Sequence, residues 1–333
     1  MMKYSVGIGL TNNCNLSCPH CYRNKEEISY LSLEQIKILY KSIPIKSIGM
    51  GTGENILNPE FHLILNFLSS KNVNLSLASN GLTLTSLSDE ELKLFNDVEV
   101  SIDFPTEKEQ NEFRGKGNWK LVMKSIERCK NLGVNISILT TIMSINHNKM
   151  GSLIDLARAY NTNLRTCVYQ SVNSDEYQLS YNQFWKAIKE LLEFGELISC
   201  SEPVVRAVLG LEPVFSPCGH KSIRINPKGQ ISPCVYFGGL INSKPLPTIK
   251  DLPNLGEDII NTYYFKKFQK TPKEAKSCRC KGGCSSRRAL KGNLNTHDFY
   301  CPWVRGEEIN LSFTKVSSSN LVRSDNNCNI IVK

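Results

Sequence analysis

Three cysteines near the start of the chain have a spacing that suits a metal centre. Cys14, Cys18 and Cys21 form a C-x-x-x-C-x-x-C motif directly after an apolar segment. Three thiolates on one loop can bind three corners of a cubane iron–sulfur cluster and leave the fourth iron without a protein ligand. The alternative is a zinc knuckle with His20 as the fourth ligand. We consider it weaker, because adjacent His20 and Cys21 are poorly placed to bind one tetrahedral ion together.

Four further motifs follow these cysteines along the chain. They are Gly51-Thr52-Gly53-Glu54-Asn55, Ala78-Ser79-Asn80-Gly81, Val100-Ser101-Ile102-Asp103 and Phe113-Arg114-Gly115. Together with the cysteine spacing, the set resembles the radical S-adenosylmethionine (SAM) enzymes, although Thr52 and Asn55 depart from that family's Gly-Gly-Glu-Pro motif. Each motif alone has an ordinary explanation, since Asn-Gly is a common turn and Ser101 or Asp103 could cap a helix. The ordered set therefore indicates the family.

The resemblance implies a 4Fe–4S cluster bound by Cys14, Cys18 and Cys21, with S-adenosyl-L-methionine at the open iron. The cofactor-binding residues that it implies are His20, Tyr22, Gly53, Glu54, Ser79, Asn80, Ser101 and Asp103. In the family the stretch with Glu54 contacts the methionyl amino group, and the fourth strand binds ribose. We nominate no general base. Asp103 and the run 169–171 are candidates only by position.

A second cysteine system occupies the last third of the chain. It begins at Cys218 and includes a predicted hairpin whose Asn-Pro-Lys-Gly turn joins two alternating runs. The region resembles the SPASM extension of peptide-modifying radical SAM enzymes, which binds auxiliary iron–sulfur clusters. The fit is incomplete, because this chain has C-x-C where the family usually has C-x-x-C and a five-residue spacer. The ligands that the resemblance implies are Cys218, Cys234, Cys278, Cys280, Cys284 and Cys301.

These six thiolates allow two partitions. Four could close one cluster with two to spare, or two clusters could each take three and leave an iron for a substrate or an outside ligand. Cys328 and His220 are the candidates for that outside ligand, although Cys328 lies in a Ser/Asn-rich tail. We favour two auxiliary 4Fe–4S clusters over one. A structural zinc site is a further alternative, because C-x-C and C-x-x-x-C can both bind zinc.

Short apolar runs alternate with amphipathic segments over the first two hundred residues. Strands are predicted at 4–10, 45–50, 73–79, 98–103, 134–142 and 163–170. Capping boxes at Ser32 with Gln35 and at Ser88 with Glu91 predict helix starts, and further helices are predicted at 119–132 and 181–194. The alternation indicates an α/β fold with a parallel sheet, which could be doubly wound. The resemblance implies a partial (β/α)6 barrel with a small cysteine-rich C-terminal domain.

We predict three parts of the chain. Residues 1–200 form the radical SAM partial barrel, 201–310 a SPASM-like auxiliary iron–sulfur domain, and 311–333 a mobile tail. The segment 195–217 contains three prolines and is predicted to be loop-like around the domain boundary.

Composition agrees with a large globular enzyme. The chain has 333 residues, 41% hydrophobic and 21% charged, with a formal net charge of +9. Thirteen cysteines without a secretory signal indicate metal binding in the cytoplasm, not disulfides. Of these, Cys129, Cys167 and Cys200 are scattered and are predicted to be buried hydrophobic residues. We predict no nucleic-acid and no membrane partner, because the chain has neither a basic block nor an apolar run of about 20 residues.

Two enzymatic functions fit these observations. The first is a radical SAM oxidoreductase that generates a 5′-deoxyadenosyl radical to mature a ribosomally synthesised peptide, by a thioether or C–C crosslink or by side-chain oxidation. Its partners would be a precursor peptide, which could pair with the exposed strand of the hairpin, and an electron donor such as flavodoxin or ferredoxin. The alternative is a small-molecule dehydrogenase or cofactor-biosynthesis enzyme. An interaction protein with a dead site is the least favoured, because the motifs are intact.

Overall fold

A single ten-stranded sheet organises the chain. The computed structural model describes residues 3–23, 27–212, 218–237, 244–276, 278–318 and 328–333. The strand order is β7-β10-β6-β5-β4-β3-β2-β1-β8-β9. The strands are β1 (Tyr4–Gly9), β2 (Ile45–Gly51), β3 (Asn74–Ser79), β4 (Asp97–Ser101), β5 (Ile136–Ile142), β6 (Asn163–Val168), β7 (Leu197–Cys200), β8 (Ser222–Ile225), β9 (Ile231–Ser232) and β10 (Asn329–Val332).

The first six strands are parallel neighbours in chain order, and they lie within a few residues of the predicted ones. Their buried faces carry the aliphatic residues of the core, and helices connect one strand to the next. This arrangement confirms the predicted α/β class and the partial barrel. Because the strands are parallel, their carboxyl ends meet at one edge, which is where such sheets bind ligands.

Twelve α-helices accompany the sheet in the described residues. The helices are α1 (Leu33–Ser42), α2 (Phe61–Ser69), α3 (Leu82–Ser86), α4 (Asp89–Leu92), α5 (Glu107–Arg114), α6 (Asn118–Asn131), α7 (Met150–Ala159), α8 (Tyr181–Phe194), α9 (Pro203–Val208), α10 (Leu252–Leu255), α11 (Tyr263–Gln269) and α12 (Ser285–Leu290). The capping boxes predicted at Ser32 and Ser88 are both formed. Among the residues described, no helix has the length and apolar character needed to cross a membrane.

The prediction of a loop over 195–217 is wrong for its first part. Strand β7 and helix α9 lie there, and Pro203 occupies the first turn of α9. A proline is tolerated at that position, because the first-turn N–H groups have no partner within the helix. Pro213 and Pro217 lie outside the described residues.

The prediction of a mobile tail over 311–333 is also wrong where the chain is described. Strand β10 inserts between β6 and β7 and pairs antiparallel with both. Upstream, the amide of Leu197 donates to Thr314 O at 2.7 Å, and the amide of Val316 donates to Leu197 O at 3.0 Å. Residues 319–327 lie outside the described residues, and the division at residue 200 stays a prediction.

The predicted hairpin is present as β8 and β9, but its outer strand is not free. The amide of Ile231 donates to Pro247 O at 2.7 Å, and the amide of Ile249 donates to Gly229 O at 2.9 Å. On its other side, β8 pairs with β1. The prediction that a peptide adds to this hairpin as a further strand is therefore wrong, because both edges already have backbone partners.

Candidate active site and cysteine clusters

A cavity of about 430 Å³ lies at the carboxyl ends of the parallel strands. This volume is within the usual range for small-molecule sites. All the predicted cofactor-binding residues except Asp103 line the cavity, together with the first three cysteines. The lining members of that predicted set are Cys14, Cys18, His20, Cys21, Tyr22, Gly53, Glu54, Ser79, Asn80 and Ser101.

The cysteine loop packs directly against the end of β2. Gly53 has φ +68°, and a Cβ there would lie 2.4 Å from Asn13 O and 2.5 Å from Thr11 O. The amide of Glu54 donates to Asn13 O at 2.8 Å. Only glycine allows the backbone to approach so closely. This contact explains why the Gly51–Asn55 motif has a glycine at position 53.

A second contact joins the loop to the end of β3. The side-chain amide of Asn80 lies 3.4 Å from Cys14 Sγ and 2.8 Å from Asn15 Oδ1. Burial raises the pKa of the Cys14 thiol and of the Cys18 thiol. Metal binding would have to displace those protons, as it does at thiolate sites in general.

Glu54 is fully buried and its carboxylate accepts several hydrogen bonds. The donors are the Ser79 hydroxyl, the Asn80 amide at 3.0 Å and the Thr83 amide at 2.7 Å. Burial nevertheless raises the pKa of Glu54 above its ordinary value. The carboxylate therefore joins the ends of β2 and β3, and Glu54 also lines the cavity.

Thr52, which stands where the family motif has glycine, adopts a left-handed conformation with φ +70°. Such a conformation costs a non-glycine residue of order 1 kcal/mol. Its hydroxyl lies 2.8 Å from the Tyr22 hydroxyl. The Tyr22 ring in turn makes an edge contact with Tyr236, with centroids 5.1 Å apart. Burial raises the pKa of Tyr22 to about 12.

Asp103 does not line the cavity and instead holds Arg114, which does. The Arg114 guanidinium donates to Asp103 Oδ2 at 2.7 Å, and His20 Nε2 lies 3.7 Å from the same oxygen. Burial alone would raise the pKa of Asp103, but Arg114, His20 and the Thr141 amide outweigh it and lower the pKa. The ribose role of Asp103 stays a prediction.

The cavity suits a polar ligand on two further observations. Gln170 is 7% exposed, and its Oε1 has no hydrogen-bond partner in the described structure. Gly51 lines the same cavity, and a Cβ there would meet nothing within 4 Å. The same cavity therefore contains three thiols that could bind a cluster and a buried acceptor that a polar cosubstrate could satisfy.

Three C-terminal cysteines form a compact buried group. Cys278 Sγ lies 3.1 Å from Cys280 Sγ and 3.2 Å from Cys301 Sγ, and the last two sulfurs are 3.0 Å apart. Where the chain is described, no other set of three metal-ligating side chains has its ligand atoms within 4.8 Å of one another. The sulfurs are closer than the about 3.8 Å that separates two thiolates on tetrahedral zinc, so any metal would spread them.

A smaller cavity contains the other predicted C-terminal ligands. Cys218, Cys234 and Cys284 line it, together with Arg224 and Arg287. The turn carrying Cys284 is fixed by Asp298, whose carboxylate accepts from the Cys284 amide at 2.7 Å. Asp298 also pairs with Arg287, and Arg287 reaches Glu202 at the start of α9. This buried ion network joins the cysteine-rich region to the rest of the chain.

Arg224 is the residue that the sequence interpretation missed most clearly. It lies between two apolar residues of a strand and was not singled out from the sequence. It is in fact 8% exposed and lines both cavities. Its partner in the register is Gly7 of β1, where a Cβ would lie 2.5 Å from the Arg224 Nη1. A glycine inside a strand signals such a close approach, and Gly7 was the available clue.

Comparison with known proteins finds a family match within the first half of the chain. Residues 8–158 match the family model described as the Radical SAM superfamily. The Bacillus subtilis protein named antilisterial bacteriocin subtilosin biosynthesis protein AlbA is 25% identical over 342 residues, covering 90% of this chain and 71% of AlbA. Mycofactocin maturase MftC of Mycolicibacterium smegmatis is 25% identical over 166 residues, covering 47% of this chain and 42% of MftC.

A solved structure shares the fold of nearly the whole chain. Native anSMEcpe with bound AdoMet and Cp18Cys peptide superposes with a TM-score of 0.69 at 20% identity, covering 90% of this chain and 94% of that one. The match to the superfamily supports the predicted cofactors, a 4Fe–4S cluster and S-adenosyl-L-methionine. The additional cysteine group agrees with the prediction of auxiliary clusters.

Proposed function

We propose that this chain, whose residues 8–158 form a radical SAM domain, matures a ribosomally synthesised peptide. The observation that carries the proposal is the similarity to AlbA over 90% of the chain, because AlbA is named for the biosynthesis of a bacteriocin. MftC, which is named a maturase, adds support for the first half. The modification would be a thioether or C–C crosslink or the oxidation of a side chain.

In this proposal Cys14, Cys18 and Cys21 hold the catalytic cluster. When bound, the cluster and S-adenosyl-L-methionine supply a 5′-deoxyadenosyl radical that removes a hydrogen atom from an unactivated carbon. Gly53 lets the cysteine loop sit against β2, and Asn80 donates a hydrogen bond toward Cys14. Glu54 offers carboxylate oxygens to the amino group of the cosubstrate.

The remaining cavity residues would orient the cosubstrate and exclude water. Ser101 lines the wall beside Arg114, whose position depends on Asp103. Gln170 contributes an acceptor that has no other hydrogen-bond partner in the described structure. His20 stacks on Phe113, with ring centroids 5.0 Å apart, and so presents a fixed ring edge near the cysteines.

The peptide would enter beside the segment 226–237, part of which lines the same cavity as the first three cysteines. Both edges of the hairpin are occupied by backbone hydrogen bonds, so the peptide is held by side chains of this wall. An auxiliary cluster near this wall could take up an electron from the substrate radical or ligate the substrate.

The proposed chemistry also requires an electron donor and a reducing compartment. Reduction of the cluster requires a one-electron donor of the flavodoxin or ferredoxin class. We also place the protein in the cytoplasm, because none of the thirteen cysteines is paired in a disulfide and a reducing compartment keeps cysteines in that state.

The test uses a short peptide encoded beside the gene, incubated anaerobically with the reconstituted chain, S-adenosyl-L-methionine and a reductant. We expect the peptide to raise 5′-deoxyadenosine production above the background and to lose two hydrogen atoms per crosslink in mass spectrometry. The Cys14, Cys18, Cys21→Ala variant is the control and should give neither. Oxidation of a small alcohol, amine or amino acid, with no effect of the peptide, would favour the small-molecule dehydrogenase instead.

A further inference from the structure

We propose that Cys328 is the fourth protein ligand of one auxiliary cluster, which Cys218, Cys234 and Cys284 also hold. The group Cys278, Cys280 and Cys301 then forms a separate centre. This inference rests on the proposed iron–sulfur chemistry but not on the peptide substrate. It assigns a role to Cys328, which is not one of the six cysteines that resemble the SPASM pattern.

The four cysteines line one small cavity. The thiol of Cys218 lies close enough to Cys234 and to Cys328 to interact with both. Cys284 is close enough to interact electrostatically with each of the other three. Four thiols that converge on one enclosed space match the four-cysteine ligand set of a closed 4Fe–4S cluster.

The position of Cys328 is fixed by the sheet. It directly precedes β10, whose first residue, Asn329, pairs with Cys167 of β6. The Asn329 amide donates to the Ser201 hydroxyl at 2.9 Å, and the Ser201 amide donates to Asn329 O at 2.7 Å. The contacts of Asn329 with Ser201 and Cys167 therefore hold the neighbouring Cys328 next to the cavity. His220, the other outside ligand considered from the sequence, does not line it.

Cys284 is directed away from the compact group although it lies only four residues after Cys280. Gly283 between them has φ +62°, and a Cβ there would lie 2.5 Å from the Asp298 Cβ. The Cys284 amide is tied to the Asp298 carboxylate. The chain turns at this point, so Cys280 and Cys284 face different groups, and the seven C-terminal thiols divide four to three.

The charge around the cavity favours an anionic occupant. Arg224 and Arg287 are at most 8% exposed, and both line it. Arg224 interacts electrostatically with Cys218, Cys234 and Cys328. A cluster bound by four thiolates carries net negative charge, which these guanidinium groups would offset in a buried setting.

The test isolates the proposed site by metal analysis. A background variant with Ala at 14, 18, 21, 278, 280 and 301 retains only these four cysteines and the three scattered ones. After anaerobic reconstitution we expect about four iron and four sulfide per chain. Adding Cys328→Ala should remove at least half of the iron or change the EPR spectrum of the reduced cluster. Adding Cys200→Ala, a buried cysteine on β7 opposite β10, should do neither.

The variant Cys328→Ser guards against simple misfolding, because a serine oxygen can replace the thiolate. We expect it to keep more iron than the alanine variant but with a shifted EPR spectrum. Unchanged iron, sulfide and EPR spectra in Cys328→Ala would overturn the proposal, as would zinc without sulfide in the background variant. A failure of peptide maturation would leave these metal counts unaffected, so the two proposals fail separately.

Discussion

The side-chain amide of Asn80 donates a hydrogen bond to the sulfur of Cys14 across 3.4 Å, which links the end of β3 to the cysteine loop. The backbone of Asn80 is anchored independently, because its amide donates to Glu54 and its carbonyl accepts from Asn118 at 2.9 Å. The donor can therefore be removed without releasing the strand end. This hydrogen bond directly joins Asn80, a predicted cofactor-binding residue, to Cys14, a predicted cluster ligand.

Replacing Asn80 with alanine should lower the reduction potential of the catalytic cluster. Hydrogen bonds to the ligating sulfurs favour the reduced state, so losing one makes reduction harder. The measurement is an EPR-monitored redox titration. Asn15→Ala is the matched control, because it removes the other partner of the same amide but leaves the bond to Cys14. Equal potentials in Asn80→Ala and the parent would contradict the assignment.

Gly51 and Gly53, which are two positions apart, should respond differently to replacement by alanine. Gly53→Ala places a Cβ against two backbone carbonyls at a positive φ, so we expect displacement of the cysteine loop and loss of iron. Gly51→Ala places a Cβ in open space and should retain iron, with weaker binding of S-adenosyl-L-methionine because the cavity is smaller. Iron analysis and calorimetric titration distinguish the two. Similar iron loss in both variants would count against this packing argument.

Removing the charge of Asp103 should destabilise the chain and impair the cavity. Asp103 is buried and the Arg114 side chain is 9% exposed, so Asp103→Asn leaves the guanidinium without its anion at a cost of about 3 kcal/mol. Binding of S-adenosyl-L-methionine should weaken as Arg114 moves. The control is Asp155→Asn in the exposed pair with Arg158, where a change within about 0.5 kcal/mol is expected. Denaturant titration gives both values, and equal effects would refute the prediction.

Asp97 should make stability depend on pH. Burial and the neighbouring Glu99, which shares the Arg165 guanidinium, raise its pKa to about 7 from 3.8. The folded pKa is the higher one, so its contribution is fully present below about pH 4 and is lost as pH rises to 7. Between pH 5 and 7 this loss is about 1.4 kcal/mol per pH unit. Asp97→Asn should flatten that slope in denaturant titrations, whereas Asp155→Asn should leave it unchanged.

The six parallel strands could be predicted because the residue pattern within each strand is enough to indicate that it is buried. Most are short segments rich in aliphatic residues, such as 136–142, followed by a turn or a cap, and parallel strands buried on both faces favour that pattern. The motif residues follow from the same geometry, because strand ends converge. This is why all but one of the predicted cofactor-binding residues line one cavity.

The parts that could not be predicted depend on long-range pairing. Strand β10 is a four-residue run after a polar segment, and only its insertion between β6 and β7 makes it a strand. The role of Arg224 as a lining residue depends on the pairing of β8 with β1, which places it opposite Gly7. The same long-range pairing carries Cys328 to the second cavity, which no spacing rule in the sequence indicates.

Reductive cleavage of S-adenosyl-L-methionine tests the central claim most directly. The reconstituted chain should form 5′-deoxyadenosine with a strong reductant, and the variant Cys14, Cys18, Cys21→Ala should form none while still holding iron at its C-terminal cysteines. That residual iron shows that the variant is folded. Formation of 5′-deoxyadenosine by the triple variant at the parent rate would contradict the account.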